Sequence, residues 1–116
     1  MAWAWVKAKS RSDIRSYVKI RPTGLYISMR AEEVPWPRQR VRVEVGFEPG
    51  RMAIRLSEDG RSVTPAYTSR RWGGNVFWAG LDELAREYDL PVGVPLPARY
   101  DAEQDVVVVE AAGTDL

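Results

Sequence analysis

The stretch from Val41 to Leu56 leaves this chain few choices of structure. Val41, Val43, Val45 and Phe47 alternate with Arg42, Glu44, Gly46 and Glu48, the period-two pattern of a strand with one face in a core and the other in water. Glu48-Pro49-Gly50-Arg51 follows. Proline pre-sets the first central position of a turn, and glycine accepts the positive φ of the second. Met52, Ile54 and Leu56 resume the apolar face, with Arg55 and Ser57 opposite. The pattern predicts a β-hairpin.

Taken from Tyr17, the chain reads strand, turn, strand, helical turn, strand, tight turn, strand. Pro22-Thr23-Gly24 is a turn signal. Leu25, Tyr26 and Ile27 form a short strand, and Ser28 is placed to cap a helix of Met29 to Val34. Val34-Pro35-Trp36-Pro37 ends it, because a residue before proline is pushed out of the α region. Glu32 and Glu33 suit the positive end of the helix dipole and need no catalytic explanation.

Asn75 to Glu110 echoes this plan. Leu81 to Tyr88 reads as a helix with Leu81, Leu84, Ala85 and Tyr88 on one face. Val92, Val94, Leu96, Ala98 and Tyr100 alternate, Asp101 to Gln104 turn the chain, and Val106 to Val109 return. Phe47 then falls on Tyr100, Ile54 on Val107 and Val43 on Leu96 at one offset. Upstream, Tyr26-Ile27-Ser28 falls on Phe77-Trp78-Ala79 at an offset two residues shorter. The expected organisation is one domain, 1–116, with a basic N-terminal segment 1–16, units 17–57 and 75–110, and a connector 58–74 carrying a strand at Val63 to Thr68. Val43, Val45, Ile54, Leu96, Val107 and Val109 are expected in one shared core. Pro95 and Pro97 stand two apart, so their missing N–H groups face one way, as on an edge strand or at a barrel seam.

A chain of 116 residues with 45% hydrophobic and 28% charged residues has a globular balance. It has no cysteine and no histidine, which removes disulfides, thiolate chemistry and the commonest general base and metal ligand. No apolar run approaches a membrane span and no signal peptide is evident, so the cytoplasm is the default compartment and no membrane partner is expected. Residues 1–58 hold 12 Lys and Arg against 6 Asp and Glu, whereas residues 59–116 hold 5 against 10. That split is the strongest partner-related signal in the chain.

Lys7, Lys9, Arg11, Arg15, Lys19 and Arg21 are interrupted by one acid, Asp13. Clustered cations of this kind suit phosphates, since they release counterions from nucleic acid; a solvated loop and strand face is the plainer reading. Trp3 and Trp5 in the alternating segment Met1 to Lys9 are expected to dock on the domain or sit in a strand. Arg70-Arg71-Trp72-Gly73-Gly74 combines cation, aromatic and glycine, a set able to stack a base, or else a core tryptophan beside a hairpin turn. Asp101, Glu103 and Asp105 lack the spacing of a calcium loop and read as a solvated turn. No phosphate loop, zinc spacing or nucleophile–base pair is present, so neither an enzyme nor a cofactor is expected.

Gly-Leu-Tyr-Ile-Ser, a short helix, Arg-Val-Arg-Val-Glu-Val, a tight turn and Met-Ala-Ile-Arg-Leu together resemble the AbrB/MazE-like swapped-hairpin family over about Lys19 to Leu56, with an echo from Asn75 to Glu110. The resemblance implies a mainly β fold: a small barrel built from two strand-helix-hairpin repeats with two short helices, fused here into a pseudo-dimer. It implies DNA binding, as in a transcription regulator, with Arg15, Lys19, Arg21 and Arg30 in the contacting positions. Leu25 stands where the family commonly has a basic residue, and Ser28 replaces a proline. The other function the composition supports is a protein-interaction or assembly module, binding a protein partner or itself by charge complementarity.

Overall fold

The computed structural model describes residues 2–4, 15–66, 68 and 70–111. Eight strands form: β1 (Tyr17–Arg21), β2 (Gly24–Arg30), β3 (Arg42–Glu48), β4 (Arg51–Leu56), β5 (Arg61–Pro65), β6 (Arg71–Phe77), β7 (Pro95–Asp101) and β8 (Val106–Glu110). One α-helix, α1 (Leu81–Glu87), lies between β6 and β7. The strands close into a barrel in the order β1-β2-β6-β5-β3-β4-β8-β7, with every pairing antiparallel. Closure removes the free edges that an open sheet would offer to other chains.

The inward residues follow the alternation. Val18 and Ile20 on β1, Val43 on β3, Met52 and Ile54 on β4, Leu96 on β7, and Val107 and Val109 on β8 are buried in one cluster, with Val45 packed at its margin. The two hairpins thus share a single core. The segments between strands seal the two ends. At one end Leu81 and Ala85 of α1 are buried, the Gly50 N–H of the β3–β4 turn donates to the Tyr88 carbonyl at 2.7 Å, and Phe47 stacks on Tyr88. At the other, Trp36 packs edge-on against Trp72 and Tyr100.

The helix expected over Met29 to Val34 does not form. β2 continues through Arg30, and only Ala31–Glu33 make a single 3-10 turn, with no side-chain cap. Leu25, Ile27 and Met29 point inward, and ladders to both β1 and β6 take up the backbone groups. One helical turn cannot match two complete ladders plus a buried Met29. Ser28 is therefore a buried strand residue, and the described residues hold one α-helix where two short helices were expected.

The stretch 58–74 carries β5 and the start of β6, so Gly73 and Gly74 lie within a strand and not in a hairpin turn. Both have φ values that side chains rarely adopt, and a Cβ on Gly74 would sit 1.9 Å from the Thr64 carbonyl oxygen. Here glycine is required by the close approach of three backbones. The strand expected from Val92 starts only at Pro95. Pro95 and Pro97 pair with β1, while the ladder to β8 begins at Ala98. The Ala98 N–H donates to the Ser16 carbonyl on the β1 side, so the missing proline donors face the stretch where no β8 ladder exists. Near the N-terminus, Trp3 is 75% exposed and residues 2–4 form no strand, contrary to expectation; both edges of β1 are already taken by β2 and β7. Trp5 lies outside the described residues.

Gly74→Ala is expected to destabilise the fold by about 3 kcal/mol or more, through overpacking and a strained φ. Gly46→Ala, at a site with nothing within 4 Å of the added Cβ, is expected to stay within about 0.5 kcal/mol of the parent. Urea titrations of the two variants compare them directly. Val107→Asp places a carboxylate at a position with 0% exposure and is expected to abolish the cooperative transition, since an unpaired buried charge costs several kcal/mol.

Candidate nucleic-acid interface

Charge is divided between two halves of the barrel. The four consecutive strands β1, β2, β6 and β5 contain Lys19, Arg21, Arg30, Arg71 and Arg61 and no Asp or Glu. The other four, β3, β4, β8 and β7, contain Arg42, Arg51, Arg55 and Arg99 against Glu44, Glu48, Glu110 and Asp101. On that second wall most of the charges pair. Arg55 bonds Glu44 and Arg51 bonds Glu48. Glu110 lies 3.9 Å from Arg51 and 3.7 Å from Arg99. A shallow depression there, floored by Gly46 and Ala53, is rimmed by the Glu44–Arg55 pair. The division follows strand order around the barrel, and each wall mixes strands from both ends of the sequence.

The basic wall can be laid out from its ladders. Tyr17, Lys19 and Arg21 on β1 stand beside Ser28, Tyr26 and Gly24 on β2. These stand beside Gly73, Asn75 and Phe77 on β6. Arg30 and Arg71 pair at the end of the β2–β6 ladder, and Arg15 lies just ahead of β1. The Arg21 guanidinium sits 5.0 Å from the centre of the Tyr26 ring and donates to Asn75 Oδ1 at 3.4 Å. The rings of Tyr17 and Tyr26 are 6.1 Å apart. Phe77 is 70% exposed. Arg71 donates to the carbonyls of Arg15 at 2.8 Å and Ser28 at 3.4 Å, which tethers the entry to β1.

Of the residues that sequence reading selected, Arg15, Lys19 and Arg21 lie along the basic wall. Arg30 is on the same wall, but it bonds Glu32 and lies 3.6 Å from Glu33. Two carboxylates beside it leave little charge for a phosphate. Lys7, Lys9 and Arg11 lie outside the described residues. Trp72 is fully buried, with its indole N–H donating to the Pro37 carbonyl at 3.0 Å, so it stacks no base. The bulk of its ring belongs to the core, and only its neighbour Arg71 reaches the wall. Sequence reading missed Tyr17, Tyr26, Asn75 and Phe77 as members of this surface. The spacing Tyr17, Lys19, Arg21 placed the first of them there; the others depended on which strands pair.

The acidic turn has a structural role. The Asp101 carboxylate accepts the Glu103 N–H at 3.0 Å, a local turn bond. Asp105 accepts the Trp36 indole N–H at 2.8 Å and the Tyr100 hydroxyl. The hydroxyl bond, then the indole bond, holds the Asp105 carboxyl below the usual carboxylate range, and the same hydroxyl bond raises Tyr100. Among the described residues no group of acids is placed to hold a metal, and no helix is long and apolar enough to cross a membrane.

Compared with known proteins, the chain matches no family model, no curated protein and no solved structure.

A carboxyl whose pKa is lowered by folding adds stability that is present above its unfolded value, about 3.9, and is lost as pH falls through the folded value. The stability gap between the parent and Asp105→Asn is therefore expected to shrink as pH drops from about 5 through that range. Tryptophan fluorescence followed during urea unfolding at several pH values reads it.

Proposed function

We propose that this protein binds DNA through the basic wall of its barrel, as the AbrB/MazE-like resemblance implies, and acts in transcription regulation. The observation that carries the reading is the charge division: five cations and no acid on four adjacent strands, against four of each on the remaining four. A surface of one sign attracts a polyanion, whereas paired charges present little net field. Arg15, Lys19, Arg21 and Arg71 are the contacts. Leu25 faces the core, so no cation follows Gly24 on the surface. Phosphate contacts position a protein without reading base sequence.

The barrel is read as a fused pseudo-dimer of two swapped-hairpin units. Exchanging β1 with β5, β2 with β6, β3 with β7 and β4 with β8 returns the same cyclic strand order, which supports that reading. The units then begin at β1 and β5, and differ by a two-residue turn at Pro49-Gly50 against a four-residue turn at Ala102–Asp105. The helix of the second unit stands where the first has its 3-10 turn. That exchange carries the basic wall onto itself, with Lys19, Arg21 and Arg30 from the first unit and Arg61 and Arg71 from the second; the two contributions differ in sequence, so a symmetrical operator is not expected.

Four phosphate contacts predict a log–log salt slope of roughly −3.6 on duplex DNA, or about a hundredfold loss of affinity between 50 and 200 mM salt. Fluorescence titration with a mixed-sequence duplex measures this. Arg21→Ala is expected to weaken all duplexes by a similar factor and to reduce the slope by about 0.9. It also removes the contact with Tyr26, a loss of about 0.5–1 kcal/mol in stability. Absence of binding to duplex and single-stranded DNA alike at low salt would replace this reading with the protein-interaction module. A loss confined to one sequence would make Arg21 a base reader.

A further inference from the structure

We infer that the occupant of the basic wall is single-stranded DNA, its bases stacking along Tyr17, Tyr26 and Phe77 and its phosphates lying on Lys19 and Arg21. The inference rests on the DNA-binding reading above and specifies its ligand.

The three rings occupy one diagonal of the wall. Tyr17 pairs with Ser28, and Tyr26 lies two residues away on that neighbouring strand. Tyr26 pairs with Asn75, and Phe77 lies two residues away on the next. Each step is one strand across and two residues along, a diagonal neighbour at about 7–8 Å, within reach of aromatic side chains. Lys19 and Arg21 flank the diagonal on β1. The positions beside the rings on β2 and β6 are Ser28, Gly24 and Gly73, which raise nothing above the sheet. Glycine at positions 24 and 73 is fixed by backbone contact, since a Cβ would meet the Val76 carbonyl oxygen at 1.9 Å and the Ile27 carbonyl oxygen at 2.1 Å. The low floor is thus a product of strand packing; Tyr17 and Tyr26 are half-buried on it and Phe77 stands exposed.

The exposure of Phe77 calls for a partner. Its strand neighbours Trp72 and Val76 are buried in the core, yet Phe77 is 70% exposed. Arg21 covers one side of Tyr26 and keeps a cation at the ring, where a base and its phosphate are both accommodated. A duplex fits this surface poorly. It shows base edges only inside its grooves, and among the described residues the basic wall projects neither a helix nor a ribbon that enters one. Unpaired bases show their faces, and stacking on aromatic rings tolerates any sequence. That agrees with a wall whose described strands offer cations and rings, with Asn75 as their one amide and no acid among them.

The test uses the full chain and fluorescence anisotropy at 50 and 200 mM salt, with labelled dT12, a hairpin duplex of equal phosphate count and rU12. dT12 is expected to bind at least tenfold tighter than the hairpin. Phe77→Leu, which keeps an apolar side chain at an exposed position, is expected to weaken dT12 about fivefold or more and to leave the hairpin unchanged. Crosslinking of 5-bromouracil-substituted dT12 is expected to mark Tyr17, Tyr26 or Phe77. Equal binding of dT12 and hairpin, untouched by Phe77→Leu, would overturn the stacking site while leaving the phosphate-binding reading intact. Binding to neither at 50 mM salt would overturn both. Tenfold tighter binding of rU12 would overturn DNA as the occupant.

Discussion

The close approach of β6 to β2 and β5 is the constraint on which the barrel depends. At Gly73 and Gly74 the backbone of β6 lies against carbonyl groups of both neighbours, and no side chain fits between them. That approach lets the β2–β6 ladder run unbroken from Gly24–Phe77 to Arg30–Arg71. It also turns Trp72 fully inward, where its ring meets Trp36 and helps to close one end. The same packing keeps the outer surface low between the rings of Tyr26 and Phe77. Core, end cap and outer wall all follow from it.

Electrostatics adds a second layer to this frame. Outward positions of a strand are free of packing demands, so their composition can vary without cost to the fold. Two arrangements stand side by side. On the β3-β4-β8-β7 wall, arginines are set opposite glutamates and pair across strands, a stabilising arrangement of modest size for exposed groups. On the β1-β2-β6-β5 wall, Lys19 faces Tyr26, Arg21 faces Gly24 and reaches Asn75, and Arg71 faces Arg30; among the described residues of this wall Arg30 is the cation with acids beside it. Packing alone does not ask for that difference.

Much of the architecture was legible in the sequence because strand alternation is local. Val41 to Leu56 and Ala98 to Val109 announce hairpins from neighbouring residues alone, and Leu81 to Glu87 announces a helix by its 3.6-residue spacing. What failed was decided at a distance. Ser28 resembles a helix cap until β6 is placed beside it, and Gly73-Gly74 resembles a turn until two carbonyls are found against it. The candidate site divides in the same manner. Tyr17, Lys19 and Arg21 share a face by simple alternation, but Phe77 joins them only through the β2–β6 register. The partition of charge by chain halves hinted at a basic surface and misplaced its boundary, because the barrel interleaves the two halves.

Closure has a consequence for the order in which the protein is made. β1 is made just before β2, one of its partners, but its other edge is satisfied by β7, which starts at Pro95. At about 5–20 residues per second, some 4–15 s pass between the two. Through that interval β1 is an edge strand, open to pairing with another nascent chain. Its alternating Lys19 and Arg21 are the kind of residues that keep such an edge in solution, and they are also the residues proposed here to meet DNA. One pair of cations would thus serve the chain first during synthesis and later as a binding surface.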